Sequence, residues 1–347
     1  MKKVIKILII LTITLAAIVI YLSTYGVKTE KFNNKIIKNV SKINKKINLS
    51  LNEVNYLLRP LNFSINIRVK NPKILLEDKS LDLSDIVTNI SLKSFVNNQF
   101  SIDDLKISTK EIQIKDLMLL IRAIKGSPQL FILDNITKSG LISANINLMF
   151  DSDGKIKNNY QINGVIKKTK LNIFNQAKIE NLDLLFDISE NQLILRKIET
   201  ELNSIKLKSP LIKIEVKKNT FFVEGKVIND HQSFDINKLK PILGKLLSDI
   251  EIEKIDFNSI NIFSFNINKN LKLNDLKLET NLSLKNFTIV KNPLNLKTFL
   301  PNYTEQVNLR DHKIKIKLSK DILDIKGEGD VYIGDEPDKL SYSIINN

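Results

Sequence analysis

"LISANINLMFDSDGKIKNNYQINGVI", residues 141–166, decides how the rest of the chain is read. Ile142, Ala144, Ile146, Leu148 and Phe150 fall on one side of an extended backbone, and Ser143, Asn145 and Asn147 on the other. After Asp151-Ser152-Asp153-Gly154 the alternation resumes, with Ile156, Tyr160, Ile162 and Ile166 against Lys157, Asn159, Gln161 and Asn163. Successive side chains of a strand point to opposite faces, so the stretch reads as a β-hairpin with one oily and one wet face. Function turns on what covers the oily face.

The same grammar recurs along the chain. Residues 61–70 alternate Leu61, Phe63, Ile65, Ile67 and Val69 with Asn62, Ser64, Asn66, Arg68 and Lys70. Further alternating runs occupy 100–108, 112–114, 182–188, 211–216, 221–228, 255–267, 271–289 and 314–331. Glycines 164, 225, 327 and 329 sit inside these runs, where they suggest bulges or sharp bends. Helical period appears near 115–126, with Leu117, Leu120, Ile121 and Ile124 in register, and near 241–250 after Pro241. The count is roughly twenty strands against three helices, a mostly β antiparallel meander with one polar face.

The N-terminus breaks that pattern. Ile7–Leu22 is apolar apart from two threonines, and with Val4 and Ile5 the run is long enough to cross a bilayer. The run outlasts the apolar core of a cleaved signal peptide, and "YLSTYG" after it lacks a small-x-small cleavage pattern. Residues 1–25 are therefore expected to be an uncleaved signal anchor, with Tyr21 and Tyr25 at the interface. The short basic tail is expected in the cytoplasm and the large domain exported. Residues 26–45 place Phe32, Ile36, Ile37, Val40 and Ile43 on one helical face, an expected amphipathic juxtamembrane helix. Residues 46–347 are expected to form one β domain.

Net charge is +15, but Arg occurs only at 59, 68, 122, 196 and 310 and Trp is absent. Guanidinium forks and stacking aromatics, the usual grips on nucleic acid, are thus scarce, and the lysines alternate along strands as a solvated face would. No nucleic-acid partner is expected. Cys is absent, which excludes disulfides and thiolate metal sites.

Catalytic patterns are missing too. The two histidines follow aspartates, Asp230-His231 and Asp311-His312, but neighbours on a strand point apart, so neither pair is preformed. Glu251 and Glu253 share a strand face beside Lys254 and read as solvated. Nucleophile-elbow, P-loop and dinucleotide motifs do not occur. The expectation is a protein without enzymatic activity, metal or cofactor.

Three coverings suit the oily face: a second sheet, the helices, or hydrocarbon. Three short helices cannot hide twenty strands. The inward residues are mainly Ile and Leu, with 7% aromatics overall. A sandwich core normally mixes sizes and includes large anchors. Periodicity alone does not separate a sandwich from an open trough.

A resemblance adds to this. The order of a short basic tail, one anchor, "YGVKTEKFNNKI" at 25–36 and long Asn/Lys-rich alternating strands resembles the AsmA-like superfamily of Gram-negative envelope proteins. "SGLISANINLMFDSDGKIKNNYQINGVI" at 139–166 and "NFTIVKNPLNLKTFLPNYTEQVNLRDHKIKIKLSKDILDIKGEGDVYIG" at 286–334 are similar in grammar to the interior of those proteins. The resemblance lies in layout and periodicity along the whole chain. It implies a long, curved, twisted antiparallel β-groove in the periplasm, tethered to the inner membrane, that takes phospholipid acyl chains and serves lipid transport and outer-membrane homeostasis. Other envelope proteins are its implied partners. Twenty strands at about 4.8 Å span on the order of 100 Å, which implies a short member or an N-terminal portion of a longer bridge.

The residues expected to line the groove are Phe63, Ile65, Ile67, Ile146, Leu148, Ile162, Phe221, Ile262, Phe265, Ile314 and Ile316. The alternative expectation is an anchored β-sandwich scaffold that binds another envelope protein through an edge strand.

Overall fold

Thr137–Met149 and Gln161–Ile173 are strands in the computed structural model, joined by a turn that Asp151 organises. One carboxylate oxygen of Asp151 accepts the backbone N–H of Asp153 and of Lys155, both at 2.9 Å, and Gly154 supplies φ +80°. These bonds hold the Asp151 carboxyl below the usual carboxylate range. The structure describes residues 2–31, 33–34, 37, 47–76, 79–97, 102–124, 128–173, 177–218, 220–235, 251–268, 270, 272–291, 307–320, 322–332 and 336–346. Over these residues the fold is mostly β: nineteen strands in one open antiparallel sheet, a few short helices and one apolar N-terminal helix. The chain divides into two compact units.

The first unit comprises residues 1–132, 141–165 and 188–190. Helix α1 (Lys2–Thr24) contains a 20-residue apolar stretch, Ile5–Thr24, long enough to span a membrane. Its threonine and serine hydroxyls are paired within the helix. Thr12, Thr14, Ser23 and Thr24 each donate to the carbonyl four residues earlier, at 2.6–2.8 Å. The helix stops at Gly26 (φ +69°), where a Cβ would lie 2.5 Å from the Tyr56 carbonyl oxygen.

Strand β1 (Val27–Thr29) follows at once and pairs with β3 (Val54–Arg59). This corrects the expected helix at 26–45: its first residues lie on the sheet, and although Asn33, Asn34 and Ile37 are helical, most of 32–46 falls outside the described residues. The unit continues through β2 (Ile47–Ser50), β4 (Ser64–Lys70), β5 (Lys73–Leu76), β6 (Lys79–Ser91), α2 (Leu92–Val96), β7 (Ile102–Thr109) and β8 (Ile112–Gln113). Helix α3 (Ile114–Ile124) matches the expected insertion near 115–126 and packs on β6 and β8. Leu117 closes over Leu76, Leu81 and Ile112, a small sealed core. After α4 (Pro128–Ile136), β9 is the strand Thr137–Met149.

The second unit comprises residues 133–140, 166–187 and 191–347 and is a run of long strands. They are β10 (Gln161–Ile173), β11 (Ala177–Ser189), β12 (Gln192–Leu202), β13 (Ile205–Val216), β14 (Thr220–Asp235), β15 (Glu251–Asn268), β16 (Leu273–Lys291), β17 (Val307–Ser319), β18 (Ile322–Tyr332) and β19 (Pro337–Asn346). From β12 to β19 each pairs antiparallel with the next in sequence. The helix expected at 241–250 lies outside the described residues.

Extra residues interrupt the pairing on one strand after another: between Lys208 and Ile212 on β13, between Asn229 and Gln232 on β14, and between Arg310 and Lys313 on β17. A β-bulge resets which residues face which side. Lys285 on β16 and Asp311 on β17 are neighbouring extra residues of this kind. Beyond them Phe287 and Leu309 pair on the face already occupied by Leu284 and His312.

Candidate functional site

In the second unit one face stays apolar from strand to strand. Ile212 and Ile214 of β13 lie between Leu195 and Leu193 of β12 and Gly225 and Val223 of β14. Gly225 and Val223 face Phe263 and Phe265 of β15, whose rings stack with centroids 5.8 Å apart. From Phe263 the row continues through Leu278, Leu318 and Leu323. Beside it run Ile316, Ile325 and Ile344, then Leu282, Ile314, Gly327 and Tyr342. Glycine at 225 is a packing requirement: a Cβ there would lie 2.9 Å from Ile212 and 3.0 Å from Phe263.

Phe263, Phe265, Leu278, Leu282, Ile314, Ile316, Leu318 and Ile325 are all half-buried, neither sealed nor free. Among the described elements of this unit the substantial contacts are those between adjacent strands, and no second layer packs on the row. A one-layer sheet leaves such a face short of apolar cover.

A polar band crosses the same face. Asn229 pairs with Ser259, and two residues further along Asn261 pairs with Thr280. Asn261 Nδ2 donates to Ser259 Oγ at 3.0 Å and to the Val227 carbonyl at 3.3 Å, while Thr280 Oγ1 donates to Asn261 Oδ1 at 2.8 Å. Gln232 Nε2 donates to Asn229 Oδ1 and to the Lys206 carbonyl. Asn229, Ser259 and Thr280 are buried, and their mutual bonding removes most of the cost of that burial. The sequence reading missed this band. Its signal was present in "NDHQS" and "NSIN", where the apolar alternation lapses.

The opposite face is charged. Lys315 and Lys317 reach Glu279 at 3.0 and 3.8 Å, and the hydrogen bond from Lys315 holds the Glu279 carboxyl below its ordinary range. Such exposed pairs contribute little stability. They keep that face wet.

Phe221, Phe265, Ile314 and Ile316 share the apolar face of the second unit. Ile262 does not, which is a correction. It pairs with Lys226 and Glu279, is 51% exposed, and sits in a hollow of about 560 Å³ that also involves Lys213, Glu224, Lys277 and Lys317. The β14–β15 pairing is regular from residue 259 to 268, so positions 262 and 265 must point to opposite sides.

In the first unit Ile65, Ile67, Ile146 and Leu148 come together on one face. Ile67 leads through Thr88 and Leu105 to Leu148, and Val69 through Ile86 and Ile107 to Ile146. Ile162 belongs there too, because Asn145 Nδ2 donates to Asn163 Oδ1 at 3.4 Å and so fixes Asn163 on the wet side. Phe63 is the second correction. Pro60 starts a 3-10 turn (Pro60–Asn62), Phe63 closes it at φ +46°, and β4 begins only at Ser64. Phe63 is 72% exposed.

The polar face of this unit, on which Ser64 and Asn66 are buried, is ordered by bonding across strands. Asn66 donates to Asn89, and Asn89 to Asp104, each at 2.7 Å. Arg68 grips Asp85 with two hydrogen bonds of 2.9 and 2.7 Å and holds its carboxyl below the usual range.

No family model, curated protein or solved structure matches the chain. The geometry therefore carries the functional argument. The histidines take separate roles: His231 Nε2 meets Asp256 at 2.8 Å, while Asp230 pairs with Lys208 at 2.6 Å. His312 is wholly buried, its Nε2 bonded to the Asp330 carbonyl oxygen at 3.0 Å. Among the described residues no group of three or more His, Asp or Glu side chains is placed to hold a metal ion.

Proposed function

We propose that this is a single-pass membrane protein whose sheet holds phospholipid acyl chains on its apolar face, without enzymatic chemistry. The observation that carries the reading is the apolar face of the second unit, in register from β12 to β19, half-buried and with no second layer on it among the described elements. Each CH₂ of an acyl chain moved from water onto such a face contributes about 0.8 kcal/mol. Neighbouring Ile, Leu and Phe side chains offer similar surroundings, so a chain can move along them over small barriers. The hydrogen-bonded band of Asn229, Ser259, Asn261 and Thr280 is the step in that path.

The apolar helix Ile5–Thr24 supplies a tether beside a source of lipid. With the sequence resemblance to AsmA-like proteins, the proposed setting is the inner membrane of a Gram-negative envelope, with the sheet in the periplasm. Lipid transport in support of the outer membrane is the proposed role.

A photoreactive amino acid placed at single positions of the full chain in cells tests this. Probes at Phe265 and Ile316 should yield covalent phospholipid adducts, and probes at Ile262 and Lys315 should not. Protein adducts at Phe265 and Ile316 in place of lipid would sink the reading and favour an anchored scaffold.

A further inference from the structure

The β3–β4 turn is unusual in what it exposes. Turns are normally built from Gly, Asn, Asp, Ser and Pro. Here Pro60-Leu61-Asn62-Phe63 presents Leu61 at 98% and Phe63 at 72% exposure. The turn is tied to the start of α2, whose Leu92 N–H donates to the Phe63 carbonyl at 2.8 Å, and α2 ends on Val96, itself 78% exposed. Arg59 and Lys93, both exposed, flank these three side chains. Exposed apolar tips with cations next to them in the chain suit the boundary between acyl chains and anionic headgroups.

The position of the turn selects the occupant. Strand β1 runs antiparallel to β3 with Val27 opposite Tyr56, so the chain before Val27 lies toward the Leu57–Arg59 end of β3. Gly26 packs against Tyr56 and Leu57, and the last turn of α1 ends there with the Tyr21 and Tyr25 rings 5.5 Å apart. The apolar span thus leaves the membrane at the same end of β3 that carries Leu61 and Phe63. We propose that the Pro60–Phe63 turn, together with Val96, is a second membrane contact that inserts into the interface of the bilayer α1 crosses and seats the end of the first unit on it.

This rests on the reading of α1 as a membrane span, and the test separates the two. The chain contains no Trp, so a single introduced Trp reports on one place alone. Full-length Leu61→Trp, Ile18→Trp and Lys315→Trp are each reconstituted into phospholipid vesicles with and without brominated acyl chains. Leu61→Trp should emit to the blue of Lys315→Trp and lose most of its intensity in brominated vesicles, as Ile18→Trp does, while Lys315→Trp is unchanged. Quenching at Ile18→Trp without quenching at Leu61→Trp overturns the proposal and leaves the anchor standing. A blue shift at Leu61→Trp without quenching overturns it in favour of a protein contact. Absence of quenching at Ile18→Trp overturns the anchor and the turn's role together.

Discussion

At Gly329 a Cβ would lie 2.4 Å from Cδ2 of His312, and at Gly327 it would lie 2.3 Å from the Tyr342 ring. Both glycines are extended and β18 pairs with β19 without irregularity, so "GEGD" marks no bend of its own. The bulge expected near it sits on β17 at Asp311 (φ +51°), across from Gly329. The bare backbone lets two rings lie against β18, and burial there raises the Tyr342 hydroxyl above its ordinary pKa. Gly329→Ala has no room to relax without displacing the imidazole. It should lower unfolding stability by roughly 1–3 kcal/mol, the usual cost of overpacking. His312→Ala in the same chain should recover part of that loss, because it removes the ring while the backbone Cα there, 2.7 Å from the added Cβ, remains. Urea denaturation of the four chains of this cycle measures both. Additive losses would show that the ring and the glycine are not matched.

Among the elements, β14, β15 and β16 show what the sequence made legible and what it hid. Strand identity was plain from period two, as was the apolar side of Phe221, Phe265, Ile314 and Ile316. The bulges were not, because an inserted residue looks like any other until its partner strand is known. Phase counted through Asn229–Gln232 or past Lys285 changes face unnoticed. Ile262 was misread for a related reason: it is adjacent to Phe263, and only the regular β14 pairing decides which of the two faces inward. Phe63 was misread because Pro60 converts the first residues of an alternating run into a turn. The polar band allows a test at this scale. Asn261→Ala removes the acceptor of the buried Thr280 hydroxyl and should cost about 1–3 kcal/mol. Asn261→Leu combined with Thr280→Val and Ser259→Ala replaces the bonded side chains by apolar groups and should cost much less. Thermal melts of the two variants compare them directly, and equal losses would mean that the band is held by something other than these bonds.

On the scale of the molecule, a net charge of +15 and long apolar rows coexist because a strand sorts them to opposite sides. The wet faces carry lysines spaced by carboxylates, as Lys315 and Lys317 are by Glu279. The apolar faces carry almost no charge among the described residues, as the proposed contact with acyl chains requires. A carboxylate placed in contact with acyl chains must lose water or take up a proton, at a cost of several kcal/mol. Ile316→Asp should therefore abolish phospholipid capture by a probe at Phe265, and Ile146→Asp should do the same for a probe at Leu148 in the first unit. Ile262→Asp makes the same chemical change on the wet face between Lys226 and Glu279 and should leave capture at Phe265 intact. Circular-dichroism melts must show all three variants folded, since Ile316 and Ile146 are half-buried and Ile262 is exposed. If folded Ile316→Asp captured lipid as well as the parent chain, acyl chains would not lie on this face, and the apolar rows would need another occupant.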